Sequence, residues 1–234
     1  MEAIVLAGGF GMRLASRIDG IPKPMAPVAG RPFLEILLAQ LRGAGCTSAL
    51  LSVGHLHEAI QDHFGASFRG MTLDYAIESV PLGTGGAIRL ALAQATDDSV
   101  LVLNGDTFLD ADYAAMMRFH RDERAAVTIA VAPQPDLARY GGVAIENGRI
   151  VAFQEKGRSG PGWISAGAYV FNRNIEWPPS LPERFSIEKD FFVPEIARLA
   201  PAAYEVSGYF LDIGIPEDLD RAQSELTRFL VPSP

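Results

Sequence analysis

The chain lacks the features that would mark a secreted, membrane-spanning or nucleic-acid-binding protein. Its 234 residues contain a single cysteine, Cys46, so no intrachain disulfide can form and a reducing compartment is expected. Basic residues are outnumbered: 20 Lys and Arg stand against 28 Asp and Glu, a formal net charge of −8. That balance argues against nucleic acid as a partner, and no run of Lys or Arg opposes it. No apolar run approaches the roughly 20 residues that cross a bilayer. The first apolar stretch, AIVLA, follows no basic leader of the kind that opens a signal peptide. A cytoplasmic location, with no membrane partner, is the expectation. Low-complexity linkers, charge blocks and internal repeats are also missing, so residues 1–234 are expected to form one domain.

What is present is an ordinary globular composition, 48% hydrophobic and 21% charged, in two textures. Up to about residue 125, short apolar runs alternate with helical patterns. AIVLA (3–7), SALLSV (48–53), MTLDYAI (71–77) and SVLVLN (99–104) read as strands. RPFLEILLAQLRG (31–43), HEAIQDHF (57–64) and residues 85–95 read as helices. Apolar strands separated by helices predict an α/β fold with a mostly parallel, Rossmann-like central sheet flanked by helices. After residue 125, AAVTIAVAP, GGVAIENGRIVAFQEK and WISAGAYVF read as strands of a smaller mixed β region. DFFVPEIARLA and PEDLDRAQSELTRFL read as closing helices.

The stretch LAGGFGMRLASRIDGIPKPM (6–25) stands out. Gly8, Gly9 and Gly11 end a strand, where backbone N–H groups can approach an anion unobstructed by side chains. Two phosphate-binding patterns fail on spacing: the GK pair of a P-loop is missing, and GxGxxG beginning at Gly9 meets leucine at position 14. Lys23 lies between Pro22 and Pro24, which restrict its backbone and predict an extended conformation. A lysine held this way is a fixed point charge suited to phosphate.

The stretch LAGGFGMRL…PKPM resembles the signature of the sugar-1-phosphate nucleotidyltransferases. Further matching segments follow in order: PLGTGGA (81–87), LNGD (103–106), YGGV (140–143), FQEK (153–156), SAGAY (165–169) and FLDIG (210–214). Met12 departs from the family's usual threonine. The resemblance implies a nucleotidyltransferase (GT-A-like) fold, with nucleotide bound by about residues 1–125 and sugar by about 126–234. It implies attack by a sugar 1-phosphate on an NTP, with pyrophosphate released. In that reading Arg13 and Lys23 are catalytic cations. Leu6, Ala7, Gly8, Gly9, Gly11, Met12, Glu78, Gly83, Thr84 and Asp106 bind the nucleotide. Tyr140, Gly141, Glu155, Lys156 and Ser165 hold the sugar phosphate, and Asp106 with Asp212 holds Mg²⁺, whose preference is for hard carboxylate oxygens. Taken alone, NGD is also common turn chemistry, and Ser186–Asp190 reads first as a capped, acid-rich helix start.

The family places Glu78 at the edge of the base. A carboxylate only accepts hydrogen bonds, and guanine is the base that presents two adjacent donors on its pairing edge, so GTP is favoured. PKPMAPVAGRPFLE and FSIEKDFFVPEI are most similar to the bacterial D-glycero-α-D-manno-heptose 1-phosphate guanylyltransferases, which implies GDP-heptose as product. Mannose 1-phosphate as acceptor, a UDP- or dTDP-sugar product, and a catalytically silent nucleotide-sugar-binding subunit are the alternatives. The oligomeric state, a homo-oligomer included, is left open.

Overall fold

In the computed structural model, which describes residues 1–9, 11, 14, 17, 18 and 20–230, strands and helices alternate through the first half of the chain. Strand β1 (Glu2–Leu6) is followed by a short hairpin, β2 (Pro27–Val28) and β3 (Arg31–Pro32), and by α1 (Phe33–Gly43). Next come β4 (Ser48–Val53), α2 (His57–Phe64), β5 (Ser67–Phe68), β6 (Met71–Ile77), α3 (Gly83–Leu92) and β7 (Ser99–Asn104). Then follow β8 (Thr107–Leu109), α4 (Tyr113–Asp122), β9 (Val127–Gln134), β10 (Gly142–Glu146), β11 (Arg149–Phe153) and β12 (Gly162–Asn172). A π-helical turn, Ile187–Phe192, leads into α5 (Val193–Leu199), β13 (Ala202–Glu205), β14 (Phe210–Asp212) and α6 (Pro216–Glu225).

Ten strands form one sheet in the order β10-β11-β13-β9-β12-β7-β1-β4-β6-β5. The stretch β7-β1-β4-β6 is parallel, with Ile4 opposite both Leu50 and Val102. The later strands extend this sheet: β12 runs antiparallel to β7 on one side and to β9 on the other. Side chains alternate across β1, so Ala3 and Val5 enter one core layer and Ile4 the other. The first layer holds the apolar face of α1, where Phe33, Ile36, Leu37 and Leu41 recur at helical spacing and are at most 4% exposed. Burial of each such side chain contributes about 1.5–3 kcal/mol. The second layer holds Ile88 of α3 and the aromatic residues Phe191 and Phe192 of the π turn.

Several elements escape the sequence patterns or shift their bounds. Helix α1 starts at Phe33 because Arg31–Pro32 pairs with β2. Helix α3 starts at Gly83 and includes all the glycines of GTGGA. Helix α4 is capped by Asp112, whose side chain accepts from the N–H of Ala115 at 2.8 Å. The three-residue strands β8 and β14 pair antiparallel, with Asp212 opposite Thr107. Among the described residues no helix is long and apolar enough to cross a membrane.

Candidate active site

The carboxyl ends of the parallel strands open onto one cleft, the usual ligand position in such sheets. Leu6, Gly8 and Gly9 at the end of β1, Glu78 just past β6, and Asn104 and Asp106 at the end of β7 line it, with Lys23, Gly83 and Thr84. Met12 and Arg13 lie outside the described residues. Ala7 is buried and its N–H donates to Ser52 O at 2.7 Å, so its backbone donor is committed to the sheet.

Local geometry explains the glycines. A Cβ on Gly8 would meet Glu78 Oε1 at 2.6 Å, so glycine at this position is what admits the carboxylate. Glu78 in turn accepts from Leu82 N–H (3.0 Å) and from the Ser52 hydroxyl (3.3 Å), which fixes the loop leading into α3. Gly11 has φ +60°, and a Cβ there would lie 3.1 Å from Lys23 Cβ. The glycines of GTGGA meet protein: a Cβ on Gly85 would stand 2.2 Å from the Phe185 ring, and one on Gly86 2.5 Å from Glu183 O. They let the Glu183–Ile187 segment lie directly on α3. Thr84 Oγ1 accepts from Ile187 N–H at 3.0 Å, and Arg89 donates to the carbonyls of Pro182 and Glu183. This packing brings Arg184 to the cleft wall.

Lys23 occupies a one-turn 3-10 helix, Lys23–Met25, and is not extended. The N–H groups of Met25 and Ala26 donate to Pro22 O and Lys23 O, and Pro24 needs no donor at that position. The turn buries the lysine stem, leaving the residue 7% exposed. Its Nζ lies 2.5 Å from Asp106 Oδ2 and 3.9 Å from Asp212 Oδ1. The β8/β14 pairing produces this meeting, reinforced by Ile213 N–H donating to Asp106 O at 2.9 Å. Gly214 leaves room for the Asp212 carboxylate, which lies 2.8 Å from where its Cβ would be.

No group of three or more His, Cys, Asp or Glu side chains suited to a metal occurs among the described residues. The adjacent pair Asp106 and Asp212 fits Mg²⁺ in the manner that ion favours, one or two carboxylates completed by substrate phosphates and water. The donor set is hard oxygen throughout.

Tyr140 stands half-buried with its ring edge-on to Phe210 at 5.7 Å, and burial pushes its phenol above the ordinary value. A Cβ on the adjacent Gly141 would lie 3.1 Å from Gln154 O, which brings this loop close to the strand end that carries Glu155 and Lys156. Glu155 and Lys156 are exposed. Ser165 Oγ lies 3.4 Å from the Tyr169 hydroxyl. On the π turn, burial pushes the Glu188 carboxyl above the usual range, with Ser165 and the charge of Lys156 acting in the opposite direction. Arg184 carries no sequence signal of its own, since it reaches the cleft through the docking of residues 183–187 on α3, whereas Glu188 falls inside the FSIEKDFFVPEI segment. Pro24, Pro81, Ala87 and Asn104 also line the cleft and lie inside the PKPM, PLGTGGA and LNGD segments. The turn at Ser186 is capped as its composition suggests: Ser186 Oγ accepts from Lys189 N–H, and Asp190 accepts from Ser186 N–H.

Comparisons with known proteins cover nearly the whole chain. The profile of the nucleotidyl transferase family matches residues 2–228. D-glycero-alpha-D-manno-heptose 1-phosphate guanylyltransferase of Aneurinibacillus thermoaerophilus is 40% identical over 98% of this chain and all of its own length. The enzyme of the same name from Campylobacter jejuni is 38% identical, covering 93% of this chain and 96% of that protein. Among solved structures, HddC from Yersinia pseudotuberculosis complexed with GMP-PN superposes with a TM-score of 0.84 at 34% identity, over 97% of this chain and 99% of that one. A match over nearly the whole chain, in sequence and in fold, leaves one assignment: the chain belongs to the nucleotidyl transferase family.

Proposed function

We propose that the protein transfers GMP from GTP to D-glycero-α-D-manno-heptose 1-phosphate, releasing pyrophosphate and forming GDP-heptose. The observation that carries this reading is a single cleft with an acceptor-only carboxylate, Glu78, and a cation set between two carboxylates, Lys23 with Asp106 and Asp212. The names of the relatives support the same substrates. In the reaction an oxygen of the sugar phosphate bonds to the α-phosphorus of GTP as the bond from that phosphorus to the bridging oxygen breaks. No nucleophilic side chain takes part, so the protein's task is to neutralise and align two anions.

Each group has a part in that task. Backbone N–H groups around Gly8 and Gly9, together with Leu6, Gly11, Met12, Gly83 and Thr84, receive the nucleotide. Lys23 and Arg13 neutralise the triphosphate, and Lys23 stabilises charge that develops on the α-phosphoryl oxygens. Asp106 and Asp212 hold Mg²⁺, which when bound lowers the repulsion between the reacting phosphates. Glu78 accepts N1–H and N2–H of guanine with the lone pairs left over from Leu82 and Ser52. Tyr140, Gly141, Glu155, Lys156 and Ser165 hold the acceptor, Lys156 through its phosphate and Glu155 through sugar hydroxyls. Residues 1–125 thus serve the nucleotide and 126–234 the sugar, in the cytoplasm, where GTP is made available.

Product identification by mass spectrometry tests the reading. The protein receives Mg²⁺, equal GTP, UTP, dTTP, ATP and CTP, and a mixture of heptose, mannose and glucose 1-phosphates. A dominant GDP-heptose peak is expected. Another nucleotide sugar would keep the reaction and refute the substrate assignment, and absence of any nucleotide sugar would refute both.

A further inference from the structure

The C-terminal helix carries a buried charge that the reaction does not use. Asp218, in the first turn of α6, is 2% exposed. Its Oδ1 accepts from Arg221 at 3.0 Å on the same helix, and its Oδ2 pairs with Arg139, 79 residues earlier in the chain. Burying a carboxylate is costly unless it is paired, and α6 could have supplied its only partner locally through Arg221. The second partner ties the helix to a distant loop.

That loop leads straight into Tyr140 and Gly141. Arg139 lies over the Tyr140 ring at 5.6 Å, and the same ring stands edge-on to Phe210, two residues before Asp212. The loop's other end is tied down separately, since Asp136 accepts from the N–H groups of Ala138 and Gly160. The contacts therefore close a circuit: Asp212, the turn into α6, Asp218, Arg139, Tyr140, Phe210 and back to Asp212.

We propose that Asp218 and Arg139 form a clamp that sets the Tyr140–Gly141 loop relative to Asp212, making both positioning residues for the acceptor sugar phosphate. The inference rests on the reading of Tyr140 and Gly141 as acceptor contacts. Arg139 is half exposed, and Asp218 keeps Arg221 when Arg139 is changed, so Arg139→Gln removes the clamp without stranding a buried charge.

The experiment compares Arg139→Gln, Asp218→Asn, the double variant and Tyr140→Ala by steady-state kinetics, varying GTP and acceptor separately and recording Tm for each. The clamp predicts that each single variant raises KM for the acceptor on the order of 10- to 100-fold, the scale of a small misplacement, with KM for GTP unchanged. It also predicts that the double variant is no worse than the poorer single one, because both remove one interaction. If Tyr140→Ala impairs acceptor binding while Arg139→Gln and Asp218→Asn do not, the clamp is wrong and the acceptor loop stands. A Tyr140→Ala enzyme with normal acceptor KM removes the acceptor loop and the clamp with it. Equal losses for both substrates, or additive losses in the double variant, would mark a general stabilising role and overturn the proposal.

Discussion

Replacing Lys23 by methionine separates two things that the wild-type side chain does at once. Methionine keeps most of the apolar stem that packs over Gly11 and loses the ammonium 2.5 Å from Asp106 and 3.9 Å from Asp212. If the lysine were only a counter-ion, its loss would show in stability. Both carboxylates retain about a third of their surface in water, 35% and 34%, so screening limits the pair's contribution to about 1 kcal/mol. For a domain of this size that is a fall in Tm of roughly 2–4 °C. If the lysine also stabilises charge developing on the α-phosphate, kcat falls by a further 10²- to 10³-fold, about 2.7–4 kcal/mol, the effect of losing one preorganised electrostatic donor. Pyrophosphate release measured at saturating GTP and acceptor, together with a thermal melt, reads both quantities. A variant with the lowered Tm and near-normal turnover would refute the catalytic role and leave Lys23 as a structural cation.

Two further outcomes follow from other residues. Glu78→Gln keeps an acceptor for Leu82 N–H but places an amide donor where guanine presents donors. The ratio of kcat/KM for GTP over UTP should drop by about 10- to 100-fold, corresponding to one lost bidentate contact of about 1–3 kcal/mol; an unchanged ratio in competition assays removes Glu78 from base recognition. His120 is 1% exposed and neutral: its Nδ1 accepts from the Thr128 hydroxyl at 2.8 Å and its Nε2–H donates to Asn172 Oδ1 at 3.0 Å. The direction of that tautomer is set by Asn172, whose amide donates to Ala125 O at 3.2 Å. Burial lowers the imidazole pKa, so its contribution to stability is fully present above the unfolded value of about 6.5 and is lost as pH falls below it toward the folded value. His120→Gln should lower Tm at neutral pH and flatten its decline between about pH 7 and pH 5; an identical acid slope in both proteins would show that another group controls it.

Sequence patterns delineated the parallel half closely because β4 and β7 are buried on both faces and read as continuous apolar runs, while β6 alternates buried and exposed residues with the period of a strand. SALLSV, MTLDYAI and SVLVLN have the same bounds in the fold, as β4, β6 and β7. By contrast, TFL and FLD are only three residues each and form β8 and β14 solely by pairing with one another. That pairing is what joins Asp106 to Asp212, so the motifs named two residues whose adjacency was visible only in three dimensions. Helix α4 escaped notice because its inward residues are Tyr113, Met116, Met117 and His120, a stripe diluted by arginines. Arg184 escaped for a different reason: what brings it to the cleft is the absence of side chains on Gly85 and Gly86, a complementarity between segments about a hundred residues apart.

Strand β12 carries a mechanical consequence. It is hydrogen-bonded to β9 along one edge and, on the other, to β10 near its start and to β7 further along, and its register against β9 shifts between Ser165 and Tyr169, with Gly167 at φ +71° so that its backbone passes Asn104 closely. The parallel half of the sheet and its later extension are thus built on one continuous ladder, and swinging one against the other would tear backbone hydrogen bonds along the middle of the sheet. A bilobed, jaw-like closure is unavailable to such a molecule. Adjustment to substrates of different bulk falls on the loops at the strand ends, so a shift in acceptor preference can arise by altering those loops while the framework that aligns the phosphates keeps its shape.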